Sequence, residues 1–469
     1  MKPLEISSAQ FLRLAEQVTR IAAGYLETLD TLPIHPRVGG SEIDALFHAE
    51  LPEQGLEEAA LKGLEDVLRN SRAQNGRFFG YVLGSGEPVG AIGDLLASVL
   101  NQNVTAWRSS PAAVTIEKTV VGWLARAIGC PDLVGSLTGG GSSANLMGLA
   151  MAREAKLAAN EDGMWSGGVV YASEEVHMSI PKSVALLGIG RSNLRLIATD
   201  ESFKMIPEEL EKTMCKDKEA GKTPIAVVAT AGTVNTGAID PLPEVTEIAH
   251  RHGAWLHVDG AYGALAAMAV ADRFEGLELA DSLSLDPHKW LYQPLDAGCL
   301  LYRDAASAQK TFAHTGEYAR TLTTDPVEGF AFFEESLELS RRFRALKLWL
   351  SLRYHGFGAF REAIHQDLKH AERLARLVAE RHELELMAPV GLSAVCFRFR
   401  GTGNISEVEL NRLNPAILKR VAERGRVYLS NASLRGKFCL RACVVNHRTT
   451  DPDIDSVIAE VLASAKGVA

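Results

Sequence analysis

Several features that mark particular protein classes are scarce or missing in this sequence. Six cysteines (Cys130, Cys215, Cys299, Cys396, Cys439 and Cys443) are spread over 469 residues, and none forms a CxxC pair. That excludes a disulfide framework and a zinc knuckle, and fits the reduced thiols of a cytoplasmic protein. No metal site is expected. An excess of basic charge is missing too. The 49 Lys and Arg face 58 Asp and Glu, a net charge of −9, which disfavours nucleic acid as a partner. No apolar run is long enough to span a bilayer, so no membrane association is expected. The opening residues, MKPLEISSAQFLRLAEQ, lack the basic and then apolar order of a secretory signal. Repeats and low-complexity tracts are also absent.

What is present is the composition of a soluble globular protein, 46% hydrophobic and 23% charged, and too long for one ordinary core. Residues 8–28 place Phe11, Leu14, Val18, Ile21, Ala22 and Tyr25 at helical spacing. A second helix is expected over 56–71. These helices carry little apolar mass of their own and need a surface to pack on. From about 85 to 345, short apolar runs alternate with helical stretches. The runs are 166–173, 193–200, 223–232, 253–260, 281–288 and 298–304, with helices at 142–158, 177–188 and 241–252. That is how a mostly parallel sheet reads when helices cover both faces. Beyond 345 a helix over 357–382 leads into strands at 392–399, 427–430 and 437–445. Helices follow near 406–424 and from 451, which reads as a smaller α+β domain. The expected division is 1–84 (helical, dimerising), 85–345 (large α/β) and 346–469 (small α+β).

Four runs fall at or near strand C-terminal ends, where open α/β sheets bind ligands. LTGGGSSANL (137–146) offers Gly141 and Ser142 at a helix start, either a phosphate cradle or a flexible connection. WLHVDGAYGA (255–264) ends a buried strand in Asp259, which either caps a turn or pairs with a cationic ring nitrogen. DSLSLDPHKWL (281–291) carries Lys289, a surface cation or an amine nucleophile. SEEVHMSIPKS (173–183) carries His177, either structural or a ring-stacking proton carrier. Each is weak alone. Their order, with Lys289 thirty positions beyond Asp259, fits one cofactor with a phosphate, a ring face, a pyridine nitrogen and an aldehyde.

Together with GRFFGYV (76–82), SPAAVTIEK (110–118), SRRFRALKLW (340–349) and LRACVVNHRTT (440–450), these motifs resemble the group II decarboxylases that use pyridoxal 5′-phosphate (PLP), of fold type I. The resemblance runs from about 75 to 450. It implies a homodimer with the active site at the subunit interface, acting on an L-amino acid of the aromatic class to release the amine and CO2. It further implies that Lys289 forms the Schiff base, Asp259 pairs with the pyridine nitrogen, His177 stacks on the ring and Ala261 lies against it. Gly141 and Ser142 would hold the phosphate, with Asp286 and His288 beside the cofactor. Tyr318 falls where the family carries a proton-donating loop tyrosine. Matching segments place Tyr81, Val82, Gly84, Asn103 and Thr105 at the substrate pocket, which would be roomier or more polar than in a strict aromatic decarboxylase. Asn75 stands where the family usually has histidine. Two alternatives remain: an aldehyde synthase, against which Tyr318 and His177 argue, and a catalytically silent scaffold, against which Lys289, Asp259 and His177 argue.

Overall fold

The computed structural model describes residues 4–36, 38–164, 167–314 and 323–467. Seven strands form one sheet: β1 (Val134–Thr138), β2 (Gly168–Ser173), β3 (Leu194–Ile197), β4 (Thr223–Thr230), β5 (Trp255–Asp259), β6 (Ser282–Leu285) and β7 (Gly298–Tyr302). Their spatial order is β1-β7-β6-β5-β4-β2-β3, with β7 antiparallel to its neighbours and the other pairs parallel. The sheet is the mostly parallel α/β type expected of fold type I. β2, β5, β6 and β7 are buried along their whole length. Hence their near-continuous apolar runs, and hence helices on both faces.

A second, antiparallel sheet joins β8 (Leu384–Leu386), β9 (Ala394–Phe399), β10 (Ser430–Leu434) and β11 (Lys437–Cys443) in the order β10-β11-β9-β8. Helices Glu407–Arg424 and Asp451–Ala465 pack with it around a separate apolar core.

Some expected elements are placed differently. β1 was not foreseen, because VGSLT lacks the β-branched density of the other strands. The strand expected at 427–430 begins only at Ser430. The helix expected over 56–71 is a 3-10 segment, Glu57–Gly63, continued by the α-helix Leu64–Asn70. The helix expected from 357 starts at Ala345 and runs to Ala379, with a break at Gly356 (φ 76°). A residue at positive φ and extended ψ (154°) interrupts the helical ladder there, and glycine adopts it without a Cβ penalty.

The first helix, Ser8–Thr28, buries none of its residues, and Phe11 and Leu12 stand open. Helix Pro88–Leu100 likewise exposes Ile92, Leu95, Leu96 and Val99. No helix among the described residues is long and apolar enough to cross a membrane.

Candidate active site

Parallel strands deliver their C-terminal ends to one edge of the sheet. There β1, β2, β4, β5 and β6 open a cavity of about 1010 Å³. Lys289, Asp259, His177, Gly141, Ser142 and Asp286 line it. Ala261, His288, Tyr81 and Val82 line it as well.

Lys289 sits on the short helix Pro287–Trp290 directly after β6. Its Nζ lies 2.8 Å from Asp286 Oδ2, and the carboxylate is almost wholly buried. Two rings hold this turn in place. Trp290, fully buried, stacks on Tyr262 with centroids 5.9 Å apart and planes 2° apart. Tyr262 in turn bonds Ser393 through its hydroxyl at 2.9 Å. The lysine turn is therefore clamped to the turn after β5 and to the smaller sheet.

Asp259 closes β5 in register with Thr230 and Ser284 on the flanking strands. Its Oδ1 accepts from Ala261 N at 3.2 Å and from Ser284 Oγ at 3.1 Å, and its Oδ2 accepts from Asn145 Nδ2 at 2.9 Å. Three donors suit an ionised carboxylate, and the cavity face of the group stays free for one more.

His177 follows β2. Its Nδ1 accepts from Ser179 N at 3.2 Å and lies 2.9 Å from Ser179 Oγ. With Nδ1 accepting, a neutral ring carries its proton on Nε2. Burial lowers its pKa, opposed by the charge of Asp259. Burial likewise lowers that of His288, against the pull of Asp286.

The glycines are spatial necessities. A Cβ on Gly141 would lie 2.6 Å from Ala261 Cβ and 3.0 Å from Asp286 Oδ2. Gly141 opens helix Gly141–Leu157, which has no side-chain cap; Ser143 N and Ala144 N donate to Gly140 O, and the helix start at Gly141 and Ser142 lines the cavity, where a helix N-terminus suits an anion.

Three buried polar atoms have no hydrogen-bond partner among the described residues and belong to cavity residues, Thr230 Oγ1, Asp286 Oδ1 and Arg441 Nη2. Each such atom costs about 1–3 kcal/mol unless a ligand satisfies it. A ligand with a phosphate, a protonated ring nitrogen, an aldehyde carbon and a carboxylate meets this set of groups, so PLP with an amino acid fits the residues present.

The remaining pocket residues are dispersed. Gly84 does not reach the cavity. Its N–H donates to His288 O at 3.2 Å, and it serves as a spacer behind the lysine turn. Asn103 and Thr105 do not line the cavity of this chain. Asn103 is exposed and its Oδ1 accepts from Arg341 N at 2.8 Å, while the carbonyl of Thr105 accepts from Phe333 N at 3.2 Å. Asn75 is a buried tie, with Nδ2 donating to Leu29 O at 3.2 Å. Tyr318 lies outside the described residues.

Sequence reasoning missed Arg441, on β11 far along the chain. Its Nε donates to Asn235 O and its Nη1 to Tyr81 O, both at 3.1 Å. An arginine among the buried apolar residues Cys439–Cys443 of that strand was the available signal. It also missed Asn145, three residues beyond Ser142.

The family model described as the pyridoxal-dependent decarboxylase conserved domain matches residues 42–400. The chain belongs to that family. An aromatic-L-amino-acid decarboxylase of Bacillus atrophaeus is 34% identical to this decarboxylase, the match covering 99% of this chain and 97% of the relative. A phenylacetaldehyde synthase of Petunia hybrida is 31% identical, over 95% of this chain and 92% of its own. The solved structure of Oryza sativa TDC with PLP and tryptamine superposes with a TM-score of 0.93 at 27% identity, covering 100% of this chain and 99% of that one. The decarboxylase is thus a PLP-dependent carboxy-lyase.

Proposed function

We propose that this decarboxylase converts an aromatic L-amino acid to its amine and CO2. One observation carries the reading: Lys289, Asp259, His177 and the Gly141 helix start converge on a single cavity that also has apolar walls, Val82, Val234, Leu194 and Leu196. Those walls suit an aromatic side chain, whose burial is favoured by about 25 cal/mol per Å2. The relatives named as aromatic amino acid decarboxylases support the same substrate class.

Bound PLP supplies an electron sink for the pair left behind when CO2 departs. The chain's residues do the rest. Lys289 Nζ is the amine that would hold the cofactor at its aldehyde carbon. The Asp259 carboxylate holds a proton on the ring nitrogen, which keeps the sink effective. His177 and Ala261 would hold the ring at its faces, with Gly141 and Ser142 on the phosphate. Asp286 and His288 hold the lysine turn, Asp286 as the resting partner of Nζ. Arg441 Nη2, unpartnered, receives the substrate carboxylate and orients it. Tyr318, or else the Nε2–H of His177, returns a proton to Cα.

We further read the molecule as a cytoplasmic homodimer divided at about 84 and 345. The uncovered apolar faces of helices Ser8–Thr28 and Pro88–Leu100 support the dimer. On this reading Asn103, exposed here, and Thr105, half-buried, serve the partner's pocket.

The aldehyde-synthase relative keeps a second reading open, decarboxylation with oxidative deamination. A panel of the twenty amino acids plus DOPA, followed as CO2 and assayed for amine, aldehyde and peroxide, tests both. Amine from an aromatic substrate is expected. Aldehyde with peroxide selects the second reading, and no CO2 from any aromatic substrate overturns the first. Lys289→Ala is expected to remove the visible absorption of the bound cofactor and all turnover. Tyr318→Phe is expected to keep CO2 release and divert product to aldehyde.

A further inference from the structure

Behind Asp259 lies a chain of buried polar groups that the mechanism above does not use. Trp255 Nε1 donates to Ser282 Oγ at 2.8 Å. Ser282 Oγ lies 2.8 Å from His257 Nδ1, and His257 Nε2 lies 2.9 Å from Asn145 Oδ1. Asn145 Nδ2 donates at 2.9 Å to both Asp259 Oδ2 and Ser179 Oγ. His257 is fully buried and Asn145 nearly so.

The direction of every bond in this chain follows from chemistry. A carboxylate only accepts, so the amide nitrogen of Asn145 must face Asp259 and its oxygen must face His257. That oxygen only accepts, so His257 carries a proton on Nε2. Burial drives the pKa of His257 down to about 4, so the ring is neutral and its Nδ1 is an acceptor. Ser282 then donates to Nδ1 and accepts from Trp255. Every donor has one acceptor, and the sequence of bonds ends on the Asp259 oxygen. A flipped amide would set oxygen against oxygen at 2.9 Å.

Space has been made for this arrangement. A Cβ on Gly148, one helical turn beyond Asn145, would lie 2.6 Å from both Cε1 and Nδ1 of His257. The helix that begins at the anion site thus leaves a notch for the imidazole that backs Asn145.

We propose that Asn145, backed by His257, is the positioning residue of the ring-nitrogen site. Its amide fixes the plane of the Asp259 carboxylate and so determines how well that group holds a proton on the cofactor's ring nitrogen. Through Ser179 the same amide reaches His177, so one side chain registers the two groups that meet the ring at its edge and its face. The inference rests on the reading that Asp259 pairs with the ring nitrogen.

The test compares PLP with its analogue bearing carbon in place of the ring nitrogen, which cannot use Asp259. Dissociation constants are measured for wild-type protein and Asn145→Leu, a variant of similar shape without the amide. Loss of one hydrogen bond to a charged group is expected to weaken PLP binding about 10- to 100-fold, with the carbon analogue held as tightly as before. Equal weakening of both ligands, or of neither, overturns the proposal. Equal binding of the two ligands by wild-type protein overturns the Asp259 reading itself and the proposal with it. A second measurement needs no variant. In wild-type protein with 15N-labelled histidine, the His257 ring is expected to carry its proton on Nε2. A proton on Nδ1 would reverse the chain of donors and overturn the proposal.

Discussion

Gly84 lies outside the cavity, yet its replacement by alanine should damage the enzyme. An added Cβ would lie 2.3 Å from His288 O and 2.5 Å from Lys289 O, both backbone atoms of the turn that carries the reactive amine. Neither atom can swing away as a side-chain tip could. The two segments must part by about 1 Å to restore van der Waals contact. The bond from Gly84 N to His288 O, 3.2 Å long, is then lost. Overpacking costs about 1–3 kcal/mol and the bond about 1 kcal/mol, so Gly84→Ala should lose about 2–4 kcal/mol. With an unfolding entropy of roughly 1 kcal/mol/K for 469 residues, Tm should fall by about 2–4 °C. Displacing a reacting group by about 1 Å can cost on the order of 100-fold in rate. The assay is kcat alongside a thermal melt, with Gly122→Ala as its control. Gly122 lies in helix Pro111–Ala127, where a Cβ would meet nothing within 4 Å. There alanine should stabilise by about 0.5–1 kcal/mol and leave kcat alone. A Gly84→Ala enzyme with wild-type kcat and Tm would refute the reasoning.

Arg441→Gln removes the unpartnered Nη2, so KM for the amino acid should rise about 10- to 100-fold. Inhibition by the product amine, which has no carboxylate, should not change; a parallel loss of amine affinity would mean general damage to the pocket. Stability should fall in acid. Burial lowers His257 and His447 to about 4, whereas in the unfolded chain both take up protons near 6.5. The unfolded state therefore binds more protons between about pH 6.5 and 4, and stability drops as pH falls through that window by up to about 3 kcal/mol per ring. In a urea-midpoint series His447→Gln should lose part of this slope, and a slope identical to wild type contradicts the assignment. Alkylation of the native protein should modify one thiol per chain. Cys215 is exposed, whereas Cys130, Cys396 and Cys439 are buried with pKa values pushed up to about 12, 12 and 11. Peptide mass spectrometry showing rapid labelling of Cys299 or Cys443 would contradict their burial.

The large sheet was legible because β2, β4, β5 and β7 are mostly apolar and β6 alternates leucine with serine, and all five are buried over most or all of their length, the signature of strands covered on both faces. β1 was not, because an edge strand of glycine, serine and threonine has no such density. Gly135 is required there by a neighbour: a Cβ on it would lie 2.0 Å from Leu300 O on β7. A requirement imposed from 165 residues away leaves no local pattern. The break at Gly356 was hidden for another reason. A single glycine in an otherwise helical run signals a weak helix as readily as a kink.

The same contrast divides the site. The groups proposed to meet the cofactor lie at the ends of β1, β2, β5 and β6, so each comes with its own short motif, and the topology of a mostly parallel sheet brings those motifs together. Groups on the substrate side have no such rule. Arg441 comes from the small sheet, Tyr81 from an irregular segment with φ 60°, and Leu194 and Leu196 from the edge strand β3. Arg441 Nη1 ties to the carbonyl of Tyr81, a contact between residues 360 positions apart that no local pattern announces. Residues in that wall can change without disturbing the strand ends beneath them. An enzyme that keeps this cofactor geometry can therefore change the side chain it accepts, and selectivity here is to be sought by exchanging Tyr81, Leu194 and Leu196, not Arg441 or the lysine turn.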